Sequence, residues 1–126
     1  METTAVIGAV LLGVVMAFQL ALAAGMPWGA ASWGGQHSGV LPSNLRASSL
    51  GAGLVAYPML IVVVLRAGGV LDLGWPNPGP ITMWVLAGFL GLGSVANFIS
   101  RSKPERIWGP VALGAAICCA LLAMGL

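Results

Sequence analysis

Residues 4–25 read TAVIGAVLLGVVMAFQLALAAG, a run without a charge in which Gln19 is the one strongly polar side chain after Thr4. About 20 apolar residues at 1.5 Å each cross the hydrocarbon core of a bilayer, and a helix satisfies every backbone polar group on the way. Gly25-Met26-Pro27 closes the run, with glycine suited to end a helix and proline unable to continue it. The preceding Met1-Glu2-Thr3-Thr4 lacks the positive charge of a signal peptide, and no small-residue cleavage site leads into a polar mature chain. The segment therefore reads as a retained first transmembrane helix.

Three further apolar segments follow, over residues 48–66, 81–100 and 107–125. The second contains Tyr57-Pro58 in its middle, where a proline removes a hydrogen bond and kinks the helix. The connections are rich in breakers. Pro27 to Ala47 is a long stretch of Gly, Trp and Ser, Trp75-Pro76-Asn77-Pro78-Gly79-Pro80 bars any regular element, and Arg101 to Arg106 forms a polar hinge. With 59% hydrophobic and only 6% charged residues, the 126-residue chain cannot cover a water-facing surface. The expected fold is all-α: one integral membrane four-helix bundle over residues 1–126, with both termini on the same side.

Sidedness follows from the few cations. The first and third loops carry Arg46, Arg101, Lys103 and Arg106, while the second loop and both tails offer only Arg66. Short loops rich in Lys and Arg stay in the cytoplasm. The expectation is a multi-pass protein of a bacterial plasma (inner) membrane, with those loops inside and both termini outside. Trp28, Trp33, Trp75, Trp84 and Trp108 fall near span ends, where indoles anchor at the headgroups. Trp33 stands apart because it lies within Ser32 to His37, a segment with polar character of its own.

Several function classes are excluded. A net charge of +2 built from so few cations makes no basic stripe for nucleic acid. Cys118 and Cys119 are adjacent and form neither a CxxC motif nor spaced zinc ligands. His37 is the sole histidine and has no neighbouring ligands, so neither metal nor cofactor is expected. Ser32, Ser38 and Ser43 lack a GxSxG context, and no catalytic motif is present. The four-helix multidrug antiporters need a glutamate within their first helix, where this chain has Gln19; the motifs of the fluoride channels and the vitamin K epoxide reductases are missing as well.

What remains is packing and a little polarity. Ala5, Ala9, Gly13, Ala17, Ala21 and Gly25 form a stripe of small residues four apart, with shorter ones at Ala112, Ala116 and Ala120, at Ala87 with Gly91 and at Gly93 with Asn97. Small residues let helices approach closely in lipid. The leading expectation is therefore a non-catalytic protein that acts by assembly, as a homo-oligomer or an accessory subunit of a larger membrane complex. The alternatives are a small transporter or channel lined by Gln19, Asn97, Ser94 and Thr82, or a lipid- or amphiphile-binding protein or enzyme.

Gln19 and Asn97 lie at similar depth and need partners. The long first loop is expected to fold over the cytoplasmic helix ends and bring Gln36 and His37 to them, forming the main polar pocket. Arg46, Arg101, Lys103 and Arg106 are expected to meet lipid headgroups or an anion.

Taken together, Gly25 to Gly29 (Gly-Met-Pro-Trp-Gly), Trp33 to His37 (Trp-Gly-Gly-Gln-His) and Ser100 to Arg106 (Ser-Arg-Ser-Lys-Pro-Glu-Arg) resemble uncharacterised short four-span bacterial membrane proteins. The resemblance implies the four-span fold and transfers no activity. A cysteine at Ser38, in a background lacking Cys118 and Cys119, is expected to resist membrane-impermeant reagents applied to intact cells; labelling there would reverse the assigned sidedness.

Overall fold

The computed structural model describes all 126 residues, as helices and connections without a strand. Four helices are long and apolar enough to cross a membrane: α1 (Glu2–Ala23), α2 (Ser43–Ala67), α3 (Gly79–Phe98) and α4 (Pro104–Ala123). The second starts five residues before the expected 48. Pro42 holds the extended conformation of a helix N-cap, so the polar Ser43, Asn44 and Arg46 already belong to the first turns. Hydropathy alone trims such turns.

Within α2 the hydrogen-bond ladder slips by one residue. Ala52–Ala56 form a π-helical stretch, and the Tyr57 amide donates to Ala52, five residues back. Pro58 explains the slip, because it has no N–H and its ring would strike the carbonyl four residues earlier in a regular helix. The expected kink thus takes the form of one accommodated extra residue. Gly53 in this stretch presses on α1, where a Cβ would lie 2.6 Å from Leu20 Cδ2.

Both ends of α1 are tied. Its C-terminus closes as a Schellman motif, with Met26 N–H donating to Ala21 O at 3.0 Å and Gly25 N–H to Leu22 O at 3.1 Å, while Gly25 takes φ +102°. Arg46 adds bonds from Nε and Nη2 to Ala23 O, at 3.2 and 3.1 Å. At the opposite end of the bundle, Thr4 Oγ1 donates to Leu126 O at 2.9 Å, so both termini share that end.

α1 packs between α2 and α4, α3 lies along α4, and α2 barely touches α3. The core includes Ala5, Leu12, Val64, Met83, Leu90, Ala115, Cys119 and Leu122. In lipid such contacts draw on dispersion and close approach. Gly8 marks the close meeting of α1 with both neighbours, since a Cβ there would sit 3.1 Å from Cys118 Cβ and 3.3 Å from Val64 Cγ1. Ser94, 2% exposed, donates to Gly109 O at 2.8 Å and ties α3 to α4.

The six-residue stripe does not form one internal seam. Four residues advance a helix by 400°, so each step turns the stripe about 40° and the series winds off any single face. Ala5 is buried, but Ala17 is exposed and a Cβ on Gly13 would meet nothing within 4 Å. The buried face of α1 is instead Ala5, Gly8, Leu12 and Leu22. Accordingly, Gly8→Leu should destabilise the folded chain by about 1–3 kcal/mol through overpacking, whereas Gly13→Leu should stay within about 0.5 kcal/mol, both read by unfolding in mild detergent. Equal losses would place the seam elsewhere.

Candidate functional site

The first loop is an ordered cover. After Trp28 it makes two short 3-10 turns, Gly29–Ala31 and Trp33–Gly35, and Gly29 N–H donates to Gly39 O at 2.8 Å to close its base. Trp33 is the chain's one non-glycine residue in the left-handed region, at φ +49°, a conformation disfavoured by roughly 1 kcal/mol or more and kept only where surroundings enforce it.

The surroundings here are specific. Trp33 Nε1 donates to Ser49 Oγ at 2.9 Å, Gly34 N–H to Glu105 Oε2 at 2.8 Å and Trp108 Nε1 to Ala31 O at 3.0 Å, and Ser102 Oγ donates to Ala30 O. The loop is thus pinned to α2 on one side and to the α3–α4 hinge on the other.

Beneath it lies a cavity of about 280 Å³. Gln19 and Phe18 come from α1, Tyr57 from α2 and Asn97 from α3; Ser32 and Trp33 come from the loop, and Glu105 and Trp108 from α4. The π-helical stretch ends just before Tyr57, so the slip in α2 sets which side of the helix presents that ring. The scant contact between α2 and α3 leaves room for the space.

Two observations give the cavity its character. Gln19 Oε1 is buried without a hydrogen-bond partner, a state that costs about 1–3 kcal/mol. Glu105 is 7% exposed and is the wall's only charged side chain. A second cavity, of about 410 Å³, adjoins the first through their shared Phe18, Ala31 and Trp108, and is almost wholly apolar, bounded further by Pro27, Trp28, Pro104 and Ile107. Phe18 stands between two indoles, with ring centres 6.4 Å from Trp28 and 4.5 Å from Trp108.

The expected site residues divide. Gln19 and Asn97 line the same cavity, although no bond from Asn97 reaches Gln19 Oε1. Gln36 and His37 are exposed and outside its wall. Their loop turns back at Trp33 and Gly34, and those residues supply the contact instead. Among the cations, Arg46 binds the end of α1 and Arg106 Nε donates to Ser100 O at 2.8 Å, so both serve backbone carbonyls. Lys103 is exposed, and Arg101, also exposed, lines a neighbouring cleft with Trp33, Asn97 and Glu105. Ser94 is engaged by Gly109 and Thr82 is exposed, so neither joins Gln19 and Asn97 in the wall.

Glu105 was legible only as part of a hydrophilic hinge. The local signal is Pro104, which suits the first position of a helix and makes Glu105 a first-turn residue, where a carboxylate is favoured. The spacing of three residues to Trp108 then sets both on one face. Tyr57 and Ser49 carry no comparable signal, because a tyrosine beside a proline and a serine in a Ser-rich helix start are common.

No family model, curated protein or solved structure matches the chain, so chemistry and geometry alone describe the site. Glu105→Ala removes the acceptor of the Gly34 amide, a bond to a charged group worth about 1.5–3 kcal/mol. Amide hydrogen exchange across Gly29–Gly39 is expected to accelerate in this variant while that of α1 stays slow. Unchanged loop protection would show that the carboxylate does not hold the cover.

Proposed function

We propose that the protein is a non-catalytic membrane protein that binds an amphiphile at the loop-covered end of its bundle. The observation that carries this reading is the junction of the two cavities across Phe18 and Trp108, one with unpaired polar groups and the other almost entirely apolar. Binding sites combine an apolar surround with a few placed polar groups, and an amphiphile has both halves. The positive charges of the first and third loops support placing this end at the cytoplasmic leaflet of a bacterial inner membrane.

A second observation favours assembly beside this activity. Gly13 on α1 and Gly88, Gly91 and Gly93 on α3 have open space where a Cβ would stand, so these small-residue faces find no partner helix within the chain. Such faces suit close approach by another copy or by a larger membrane complex.

Native mass spectrometry from mild detergent reads both. Wild-type protein should retain amphiphile adducts that Asn97→Leu with Gln19→Leu sheds, and the charge-state series should include a multimer that Gly13→Leu reduces. Adducts of equal abundance in wild type and the double variant would refute the binding reading, and a strict monomer would refute assembly.

A further inference from the structure

We propose that the polar cavity selects an alkylammonium, a protonated amine on an apolar chain, with Glu105 as its counter-charge. This rests on the amphiphile reading and adds the sign and hydrogen-bonding character of the head.

Both indole donors of the wall are spent on the cover, while the Gln19 and Asn97 amides and the Tyr57 hydroxyl also line the space. Trp33 Nε1 is engaged by Ser49, Trp108 Nε1 by Ala31 O, and Ser32 Oγ donates to Gly29 O at 3.2 Å. Two strong acceptors stand among the lining groups: the orphaned Gln19 Oε1 and the Glu105 carboxylate, of which the Gly34 amide uses a single lone pair. A bound donor would relieve the Gln19 oxygen.

Charge points the same way. A carboxylate that is 7% exposed carries a desolvation cost that one backbone N–H offsets only in part. No Lys or Arg lies in the wall. Arg46 and Arg106 serve carbonyls, and Arg101 stands in the neighbouring cleft. An anionic or phosphate head would therefore meet a like charge and find no cation, whereas an ammonium supplies three donors and the missing charge. Phe18, Trp33, Tyr57 and Trp108 contribute aromatic surface, which attracts cations through its negative π face. The adjoining cavity beside Phe18 and Trp108 accepts the alkyl chain.

The test titrates the full chain, in nanodiscs of uncharged lipid at neutral pH, with octylammonium, octyl glucoside and octyl sulfate below their micellar concentrations. Binding is read from tryptophan fluorescence and thermal stabilisation. Octylammonium should bind about tenfold or more tightly than the glucoside, a gap of ~1.4 kcal/mol, and the sulfate most weakly. Glu105→Gln, which still accepts from Gly34, should erase the ammonium preference, read as the ratio of octylammonium to octyl glucoside affinity within the same variant; Glu105→Asp should restore part of that ratio.

Equal affinities for the three heads, or a preference for the sulfate, would overturn the assignment of charge and leave the amphiphile reading standing. No saturable binding of any head would overturn both. Should Glu105→Gln loosen the loop by hydrogen exchange, Gln19→Leu provides the second variant: it should weaken octylammonium several-fold, and an unchanged affinity counts against the site.

Discussion

In hydrocarbon every backbone amide and carbonyl must find its partner inside the protein, and most departures from simple helices in this chain answer that demand. The last turns of α1, α2 and α4 close on Gly25, Gly69 and Gly125 at positive φ, each with a backbone bond reaching back around the final turn. Three of the scarce arginines work on carbonyls as well. Arg46 binds Ala23 O, Arg66 binds Trp75 O at 2.9 and 2.7 Å, and Arg106 binds Ser100 O. These cations thus also satisfy backbone carbonyls at the end of α1 and in the connections.

The same demand governs the first loop. Non-helical backbone at a bilayer surface persists where protein covers it or water lines it. Indole N–H groups, a serine hydroxyl and the Glu105 carboxylate provide the pins. The two indole pins that hold the loop also withdraw their donors from the cavity underneath. The cover and the polarity of the pocket are one arrangement seen from two sides.

How much of this the sequence discloses differs by element. The four spans, the termination of α1 at Gly25 and the special standing of Trp33 follow from local chemistry: apolar length, a glycine before a proline, and a tryptophan among small and polar residues. The pairing of Gln19 with Asn97 in one wall follows from depth. Three features are hidden because they depend on angle and not on composition. A stripe with a period of four looks continuous in sequence but turns about 40° per step, which carries Gly13 and Ala17 off the core. The choice of Trp33 and Gly34 over Gln36 and His37 depends on where a loop reverses. Glu105 looks like a solvated hinge charge until Pro104 begins a helix and a loop from 71 residues earlier closes over it.

The π-helical stretch of α2 has a bearing on how this chain tolerates length changes. Ordinarily the loss of one residue from a transmembrane helix rotates everything beyond it by about 100° and scrambles the packed face. Between Ala52 and Ala56 the ladder already carries one residue more than a regular helix holds. That segment is a reservoir of register, where an insertion or deletion during divergence would be absorbed locally. The outcome would be felt chiefly at Tyr57, the first residue after it, and so the pocket's aromatic wall could be retuned by a single codon gained or lost while the bundle stayed intact.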